Sequence, residues 1–284
     1  MKIDGKEIAR VFPRKTHATP DDNLSFIGLP TWDVMENGYG IDEVHISVTF
    51  TYDIPIAEQL YKAWTRLGVP VKMGGPAFND RMSNKFIPGM YIKKGYTFTS
   101  RGCPKSCWFC SVYECSKGKI IELPITEGWN ILDDNICATS EKHFLEVMKM
   151  LKRQKENPIF TGGIEPGFIQ PWQAKLMKEV GTKRLYCAYD TPDDYEPLVN
   201  AGKIFMDAGF TKSSHSLCCY VLIGYHGDTF EKAEKRLIQT IKAGFVPYAM
   251  LFRDKQGNVN QEWKKFQREW CRPQIVTCKI KEYS

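Results

Sequence analysis

The sequence predicts an α/β protein built on parallel strands. Between residues 96 and 252, six short apolar runs of strand length alternate with segments whose apolar residues recur at helical spacing. This alternation is typical of strand–helix units whose strands pair in parallel. Glycines and polar residues follow the apolar runs, where parallel folds carry their reactive groups. The candidate strands are Tyr96–Ser100, Ile131–Leu132, Ile159–Thr161, Arg184–Tyr189, Leu217–Ile223 and Val246–Phe252.

Four helices are expected between the later strands. Ser140 is a candidate N-cap for the first of them, and Asp228 has the position of a cap in a sequence that is spaced like a capping box. Six strand–helix units fall short of the eight that a closed barrel needs. They fit either a partial barrel or a doubly wound sheet, and periodicity does not separate the two. The helical patterns cover residues 141–151, 172–180, 195–208 and 230–241.

A smaller α/β segment is expected before the main array. Residues 44–50 alternate as a strand, Pro55 opens a helix that Gly68 ends, and Val69–Val71 begins another strand. A strand–helix–strand order implies a parallel pair. We therefore expect three regions, which are an N-terminal α/β segment over residues 1–92, the main array over residues 93–253 and a helical, basic tail over residues 254–284.

Composition is that of an ordinary globular chain, with 43% apolar and 25% charged residues in 284. No apolar run approaches the length of a membrane span, and the N-terminus lacks the apolar core of a signal peptide. A cytoplasmic location with reduced cysteines is therefore expected. The net charge of +6 is mild and would suit an anionic substrate, RNA or an acidic electron donor.

Three cysteines form a C-x3-C-x2-C triplet after the first predicted strand. They are Cys103, Cys107 and Cys110, and Phe109 directly precedes the last. Thiolates are the usual ligands of iron–sulfur clusters, and three of them can hold a four-iron cluster while its fourth iron stays open to a small molecule. A zinc site usually needs a fourth ligand nearby; Cys115 could serve, but no second C-x2-C follows. A thioredoxin-like C-x-x-C would leave the first cysteine unused.

This spacing, with an aromatic residue before the third cysteine, resembles the signature of the radical S-adenosylmethionine (radical SAM) family. The resemblance covers roughly residues 96–252 and implies a partial (βα)6 barrel of the TIM type. It also implies an oxygen-sensitive enzyme in which the triplet holds a 4Fe-4S cluster, as both metal ligands and catalytic centre. In the family, SAM chelates the open iron, and an external flavodoxin-like or ferredoxin-like donor supplies one electron. SAM is then cleaved to a 5′-deoxyadenosyl radical, which abstracts hydrogen from the substrate.

Later motifs resemble further elements of the family. Gly162-Gly163 with Glu165 resembles the Gly-Gly-Glu motif that binds the SAM amino group, with one extra residue, Ile164. A carboxylate pairs with an ammonium, and glycine lets backbone approach a ligand closely. The same residues would also suit a glycine turn with a solvated acid, and Asp228 would also suit a helix cap alone. The cofactor contacts that the resemblance implies are Phe109, Gly162, Gly163, Glu165, Tyr189, Gly224 and Asp228.

The resemblance extends to the cobalamin-type branch of the family. Asp133-Asp134-Asn135 resembles a D-D-N sequence found there after the second strand, where it would suit substrate contact, positioning of the site or a polar turn. The N-terminal segment resembles a shortened, Rossmann-like cobalamin-binding domain. The Asp-x-His-x-x-Gly motif that ligates cobalt is missing from the sequence, and His45 lies inside a strand pattern. Cobalamin binding is therefore not expected.

The tail carries Trp263, Phe266 and Trp270 at helical spacing. They favour a helix that packs an aromatic face on the barrel over an RNA-facing surface. A second functional hypothesis is a non-catalytic iron–sulfur or zinc module that binds RNA or a protein partner. The sequence names no substrate, which leaves a nucleoside, a peptide side chain, a lipid and a small metabolite open. The remaining cysteines have no tight spacing that would predict a second cluster.

Overall fold

The computed structural model of the chain describes residues 2–78, 86–254 and 256–283. Two compact units divide the chain, the first over Met1–Tyr96 and the second over Thr97–Ser284. Each unit has its own apolar core. Helices and mainly parallel sheets make up both, so the predicted α/β class is confirmed. Within the described residues, no helix has both the length and the apolar character that crossing a bilayer requires.

The first unit is a five-stranded sheet with helices. Its strands are β1 Lys2–Ile3, β2 Lys6–Phe12, β3 Ser25–Ile27, β4 Glu43–Ser47 and β5 Val71–Gly74, and its α-helices are α1 Trp32–Asn37 and α2 Ile54–Trp64. β2 pairs in parallel with β3 and β4, and β4 pairs in parallel with β5, whereas β1 is antiparallel to β2. The predicted strand–helix–strand unit is therefore present as β4, α2 and β5.

The helix α2 shows why this unit forms. Pro55 lies in its first turn, where a missing N–H costs nothing, and Ala57, Leu60 and Trp64 bury one face. His45 of β4 has both ring nitrogens engaged, Nδ1 at 2.7 Å from the Tyr91 hydroxyl and Nε2 at 2.9 Å from Glu43. His45 is therefore held within the strand by its neighbours, as its place in the strand pattern indicates.

The second unit is organised around a six-stranded sheet. The strands of this unit are β6 Tyr96–Thr97, β7 Ser100–Arg101, β8 Ile121–Glu122, β9 Asn130–Ile131, β10 Ile159–Ile164, β11 Arg184–Ala188, β12 Leu217–Ile223 and β13 Val246–Leu251. The sheet order is β6-β9-β10-β11-β12-β13, and each strand from β9 to β13 is parallel to the next. A doubly wound sheet reverses its strand order, and this one follows the chain throughout.

Helices follow the strands as predicted. They are α3 Ser111–Ser116, α4 Glu141–Lys152, α5 Pro171–Glu179, α6 Tyr195–Asp207, α7 Phe230–Lys242, α8 Gln261–Cys271 and α9 Pro273–Tyr283. Ser140 caps α4 by accepting the His143 N–H at 3.2 Å, as expected. The cap of α7 is Thr229, which accepts the Lys232 N–H at 3.3 Å, and not Asp228. The carboxylate of Asp228 is occupied elsewhere, as described below.

The two faces of the large sheet differ. On the helix side, Cys187 and Cys219 belong to the apolar core, and both are fully buried. On the other side, the rings of Tyr186 and Tyr220 stack with centroids 4.5 Å apart, and Tyr248 meets the Tyr220 ring edge-on at 5.7 Å. Because neighbouring strand residues alternate, only one of the adjacent cysteines Cys218 and Cys219 joins the helix-side core.

The aromatic face of the tail packs inward. Trp270 is fully buried in the core of the second unit, and Trp263 and Phe266 pack against that core. The ring of Trp263 lies 4.4 Å from that of Phe230 on α7. The packing interpretation of these residues is therefore confirmed, and their rings do not form the open stacking surface that an RNA-facing interpretation requires.

Trp270→Ala is expected to lower the free energy of unfolding by about 3–5 kcal/mol, because it removes a large, fully buried side chain. Trp172→Ala is the matched control, since Trp172 is 37% exposed. Trp172→Ala should lower the free energy of unfolding by less than half as much as Trp270→Ala. Chemical denaturation followed by circular dichroism measures both, and equal losses would contradict the inward packing of the tail.

Candidate functional site

The cysteine triplet lies in a loop that a short hairpin closes. β7 and β8 pair antiparallel, with Ser100 opposite Glu122 and Arg101 opposite Ile121. The triplet lies between these two strands. Cys110 N–H donates to the Cys107 carbonyl at 3.1 Å, which forms a tight turn, and α3 begins directly after Cys110. The three thiols are therefore carried by a single segment that is anchored at both ends.

The pKa values of two of the three thiols are raised above the ordinary value. Burial raises the pKa of Cys103, and it raises the pKa of Cys107 to about 12. The charges of Cys110 and Glu165 act on both thiols and raise the pKa further. Such thiols stay protonated at neutral pH until a bound metal takes the place of the proton.

The three thiols are a soft donor set. Thiolate ligands favour iron–sulfur clusters, zinc or cuprous copper. Among residues 2–78, 86–254 and 256–283, no three His, Cys, Asp or Glu side chains converge where they could hold one metal ion. A four-iron cluster would take one thiolate for each of three irons.

Asp133 ties the start of the cysteine segment to the end of β9. Its Oδ1 accepts the Thr99 N–H at 2.6 Å, and its Oδ2 accepts the Thr99 hydroxyl at 2.5 Å and the Ser100 hydroxyl at 2.7 Å. The carboxylate is buried, and burial raises its pKa even though these donors lower it. A buried acid with this many donors acts as a fixed anchor rather than as a polar turn exposed to solvent.

The next two residues continue the same pattern. Asp134 Oδ2 accepts the Gly102 N–H at 2.7 Å, and Asn135 Nδ2 lies 3.8 Å from the Cys103 sulfur as a donor. Successive side chains of Asp133, Asp134 and Asn135 thus hold successive positions of the segment that leads into the first cysteine. We call these three residues the Asp-Asp-Asn clamp. Of the roles expected for them, positioning of the site is the one that the contacts favour.

The glycine pair predicted after β10 lies inside that strand. Phe160 pairs with Leu185 and Ile164 pairs with Cys187, so four residues of β10 span two of β11. This bulge contains Gly163, whose φ is 101°. A Cβ on Gly162 would lie 2.0 Å from the Asp133 carbonyl oxygen. Gly162 therefore allows β10 to approach the backbone of the clamp, a role in the protein itself beyond the expected ligand contact.

Glu165 already has an ammonium partner within the chain. Lys105, which lies inside the cysteine triplet, places Nζ 2.8 Å from Glu165 Oε2 and 2.5 Å from Asp194 Oδ1. Burial lowers the pKa of Lys105, but the hydrogen bonds to both carboxylates outweigh it and raise the pKa. Asp194 also accepts the N–H groups of Asp190 and Thr191, and its pKa stays below the usual value despite burial. Burial raises the pKa of Glu165.

Lys105 and Asp194 were not found from the sequence. They are 89 positions apart, and no local pattern connects them. The available signal was the placement of a basic residue between two cysteines of the triplet, together with the end of β11 at the same sheet edge. In the structure, this lysine joins the cysteine loop to the ends of β10 and β11.

Asp190 is a third carboxylate at this edge. Its Oδ1 accepts the Leu222 N–H at 3.1 Å. Burial, followed by the charge of Asp194, raises its pKa to about 7. Because its charge also acts on Cys107, Asp190 lies near the triplet. The site thus has more acidic than basic groups, and one of the acids titrates near neutrality.

An aromatic cluster flanks the loop. Trp108 is 60% exposed, and its ring lies 5.3 Å from Phe109, 5.6 Å from Tyr225 and 5.9 Å from Phe252. Phe109 and its neighbours were expected at the site, but only Phe109 was singled out, because it alone directly precedes the third cysteine. The cluster joins the loop to the ends of β12 and β13.

The turn after β12 is braced by Asp228 and covered by α8. Asp228 Oδ2 accepts the Gly224 N–H at 2.8 Å and an Arg236 N–H at 2.8 Å. A Cβ on Gly224 would lie 2.9 Å from the ring of Trp263 on α8. The packing of α8 on this turn therefore requires glycine at position 224. A cavity of about 220 Å³ opens beside this turn, lined by Gly224, Tyr225, His226, Leu251, Phe252, Asp254, Asn258, Asn260 and Trp263. Asp228 braces the turn and does not line the cavity.

Tyr189 directly precedes Asp190, and the charge of Asp194 acts on its hydroxyl. It is 1% exposed in the helix-side core, and its hydroxyl donates to Gln239 Oε1 at 2.8 Å. A cofactor contact by Tyr189 would require its ring to leave that core. The structure therefore brings the triplet, Phe109, Gly162, Gly163, Glu165 and Gly224 to the sheet edge where the carboxyl ends of the strands lie, and it places Tyr189 among the helices.

Gly162→Ala is expected to lower the free energy of unfolding by about 3 kcal/mol or more, because the new methyl group would overlap a backbone oxygen. Gly163→Ala is the matched neighbour, since a Cβ there meets nothing within 4 Å and only the φ of 101° is strained. It should cost about 1–2 kcal/mol. Urea titration of both variants measures the difference, and the reverse order would refute the close approach of β10 to the clamp.

Asp190→Asn is expected to change how stability depends on pH. The folded protein keeps a proton on Asp190 up to about pH 7, whereas the ordinary pKa is 3.8. Between these two pH values the folded state binds more protons than the unfolded state. The free energy of unfolding of the wild-type protein therefore falls as pH rises through this range. The asparagine variant lacks this loss and should exceed wild type by about 2–4 kcal/mol at pH 8 but not at pH 4.

Urea unfolding at a series of pH values tests this expectation. Asp193→Asn, at an exposed neighbouring position, is the control and should follow the wild-type curve. If the free energy of unfolding changed equally with pH in Asp190→Asn and wild type between pH 4 and pH 8, a buried proton at Asp190 would be contradicted.

Comparison with models of known protein families finds no match for this chain, and a search of curated proteins finds none either. The function is therefore proposed from the chemistry of the residues described above.

Proposed function

We propose that this chain is a radical SAM enzyme with a six-stranded partial barrel. The observation that carries the proposal is the gathering of the cysteine triplet, the Gly162-Gly163 bulge with Glu165, and the Gly224 turn at the carboxyl ends of one parallel sheet. The strand order supports the partial barrel, because a sheet that follows the chain without reversal is what successive βα units of a barrel produce.

Cys103, Cys107 and Cys110 would hold a 4Fe-4S cluster. When bound, the cluster and SAM would supply one-electron chemistry and a carbon radical, which no side chain provides. All three thiols lie on one loop, which the pairing of β7 with β8 closes. The three-thiol donor set leaves one iron without a protein ligand, which is the vacancy that the amino and carboxylate groups of SAM would fill.

The charges around the loop suit a ligand of net positive charge. Glu165, Asp190 and Asp194 lie near a single lysine, Lys105. An incoming ammonium would share Glu165 with Lys105 or take its place, because Glu165 is held at 2.8 Å by Lys105 in the structure. Binding at this carboxylate is thus an exchange of one ion pair for another, and the exchange preserves the pairing of a buried charge.

The aromatic cluster around Trp108 would give the bound cofactor an apolar flank. The ring of Trp108 lies 5.6 Å from Tyr225 and 5.9 Å from Phe252, so the three rings would cover one side of a bound cofactor. Gly224, Tyr225 and Phe252 line the adjoining cavity, which would give room for a planar group. These residues orient and shield; the substrate that the radical acts on is unidentified.

We assign the reaction to the cytoplasm, with a flavodoxin-like or ferredoxin-like electron donor. All ten cysteines lie within the described residues and none is in a disulfide, which suits a reducing compartment. The first unit would be a degenerate Rossmann-like segment without a cobalamin role, since both nitrogens of His45 are engaged.

Anaerobic reconstitution with iron and sulfide, followed by dithionite and SAM, tests the proposal. The wild-type chain should take up a 4Fe-4S cluster and release 5′-deoxyadenosine, which liquid chromatography with mass spectrometry detects. Cys107→Ala should lose at least 100-fold of this activity while keeping its fold, because one iron loses its thiolate.

Cys278→Ala is the matched control, since Cys278 is exposed on α9 and belongs to no motif. It should retain wild-type activity. A cluster that forms but yields no 5′-deoxyadenosine would favour the non-catalytic module instead. A chain that takes up no iron would overturn the radical SAM proposal and the iron–sulfur form of the alternative.

A further inference from the structure

Asn135 is a buried amide with an unusual set of contacts. It is fully buried, and its Nδ2 lies at hydrogen-bonding distance, 3.8 Å, from the Cys103 sulfur. Its Oδ1 is also buried and has no hydrogen-bond partner in the part of the chain that the structure describes. Buried polar atoms normally find partners, so an unpaired one calls for a compensating reason. A leucine of similar volume would fill this space without leaving an oxygen unpaired.

The position of this amide is set by its neighbours. Asp133 and Asp134 fix the backbone on either side of the contact through Thr99, Ser100 and Gly102. Ala138 N–H donates to the Asn135 carbonyl at 3.1 Å and starts the turn that follows. The side chain of Asn135 therefore meets the sulfur because the clamp places it there, rather than by a loose surface contact.

The chemistry of this contact changes once a metal is bound. A thiol can donate or accept, but a metal-bound thiolate only accepts, so the amide must present its N–H to the sulfur. A hydrogen bond to a cluster sulfur stabilises the more negative, reduced state and raises the reduction potential. The bond is stronger inside a buried site, where water does not compete for the donor.

We propose that Asn135 is a positioning residue that raises the reduction potential of a cluster bound at Cys103 through its N–H···S hydrogen bond. The inference rests on the proposed function, and it assigns to the third residue of the clamp a role that Asp133 and Asp134 do not have. Those two residues bind backbone and hydroxyl groups, whereas Asn135 alone of the three contacts a sulfur ligand. An amide at this position supplies the N–H donor, and its second polar atom, Oδ1, is then left without a partner in the described residues.

Asn135→Leu and Asn135→Ala test the proposal without SAM and without measuring activity. Each variant is reconstituted anaerobically, its iron and sulfide content is determined, and the cluster is titrated with dithionite, which transfers one electron and converts the 2+ state to the 1+ state. Electron paramagnetic resonance follows the reduced signal. Both variants should take up the wild-type amount of iron and show a midpoint potential shifted to more negative values.

Two further variants separate the hydrogen bond from a structural effect. Asn130→Leu is the control, because Asn130 is a buried asparagine on β9 whose Oδ1 accepts the Thr161 hydroxyl at 2.5 Å. It should leave the midpoint potential at the wild-type value. Asn135→Gln keeps an amide N–H donor, so its midpoint potential should lie between that of wild type and that of Asn135→Leu.

The outcomes distinguish this inference from the function on which it rests. Wild-type potentials in both cluster-bearing Asn135 variants would overturn the inference and leave the proposed function standing. Failure of both variants to bind iron, with Asn130→Leu normal, would also overturn it, because Asn135 would then be needed for assembly rather than for the potential. A wild-type chain without a cluster would overturn the proposed function and the inference together.

Discussion

The arrangement of the site depends on one buried carboxylate. Asp133 accepts three hydrogen bonds from Thr99 and Ser100, at the point where the chain leaves β6 and enters the cysteine segment. The two segments are more than thirty positions apart, so this contact holds the loop to the sheet where sequence proximity does not. Burial makes an unpaired carboxylate costly, and the same burial makes a fully paired one a rigid anchor. The positions of Asp134 and Asn135 follow from it.

A second charged contact joins the loop to the sheet from the other side. Lys105 reaches Glu165 at the end of β10 and Asp194 after β11, so the loop is fastened on both flanks. Between these fastenings lie thiols whose pKa values burial has raised, so that without a bound metal they keep their protons at neutral pH. The rigid scaffold thus supports a loop whose chemistry depends on what it binds.

Local patterns predicted the elements well and their contacts poorly. Leu217–Ile223 is the predicted strand residue for residue, and Ser140 caps α4, because apolar runs and caps are local signals. The Gly162-Gly163 pair was expected after a strand that ends at Thr161, whereas β10 continues to Ile164. The bulge in β10 was not predicted, because the pairing register of two strands leaves no local signal. Asp228 was expected to cap α7, whereas its carboxylate braces Gly224. Contacts across many residues leave no periodic trace in the sequence.

The close approach at Gly162 has a consequence for how this protein can change over evolutionary time. The space that a side chain would need at Gly162 is taken by the Asp133 backbone, so the two positions share one volume. A side chain at Gly162 is tolerated only if the backbone at Asp133 moves away from β10. Homologous chains in which this backbone keeps its place are therefore expected to keep glycine at this position.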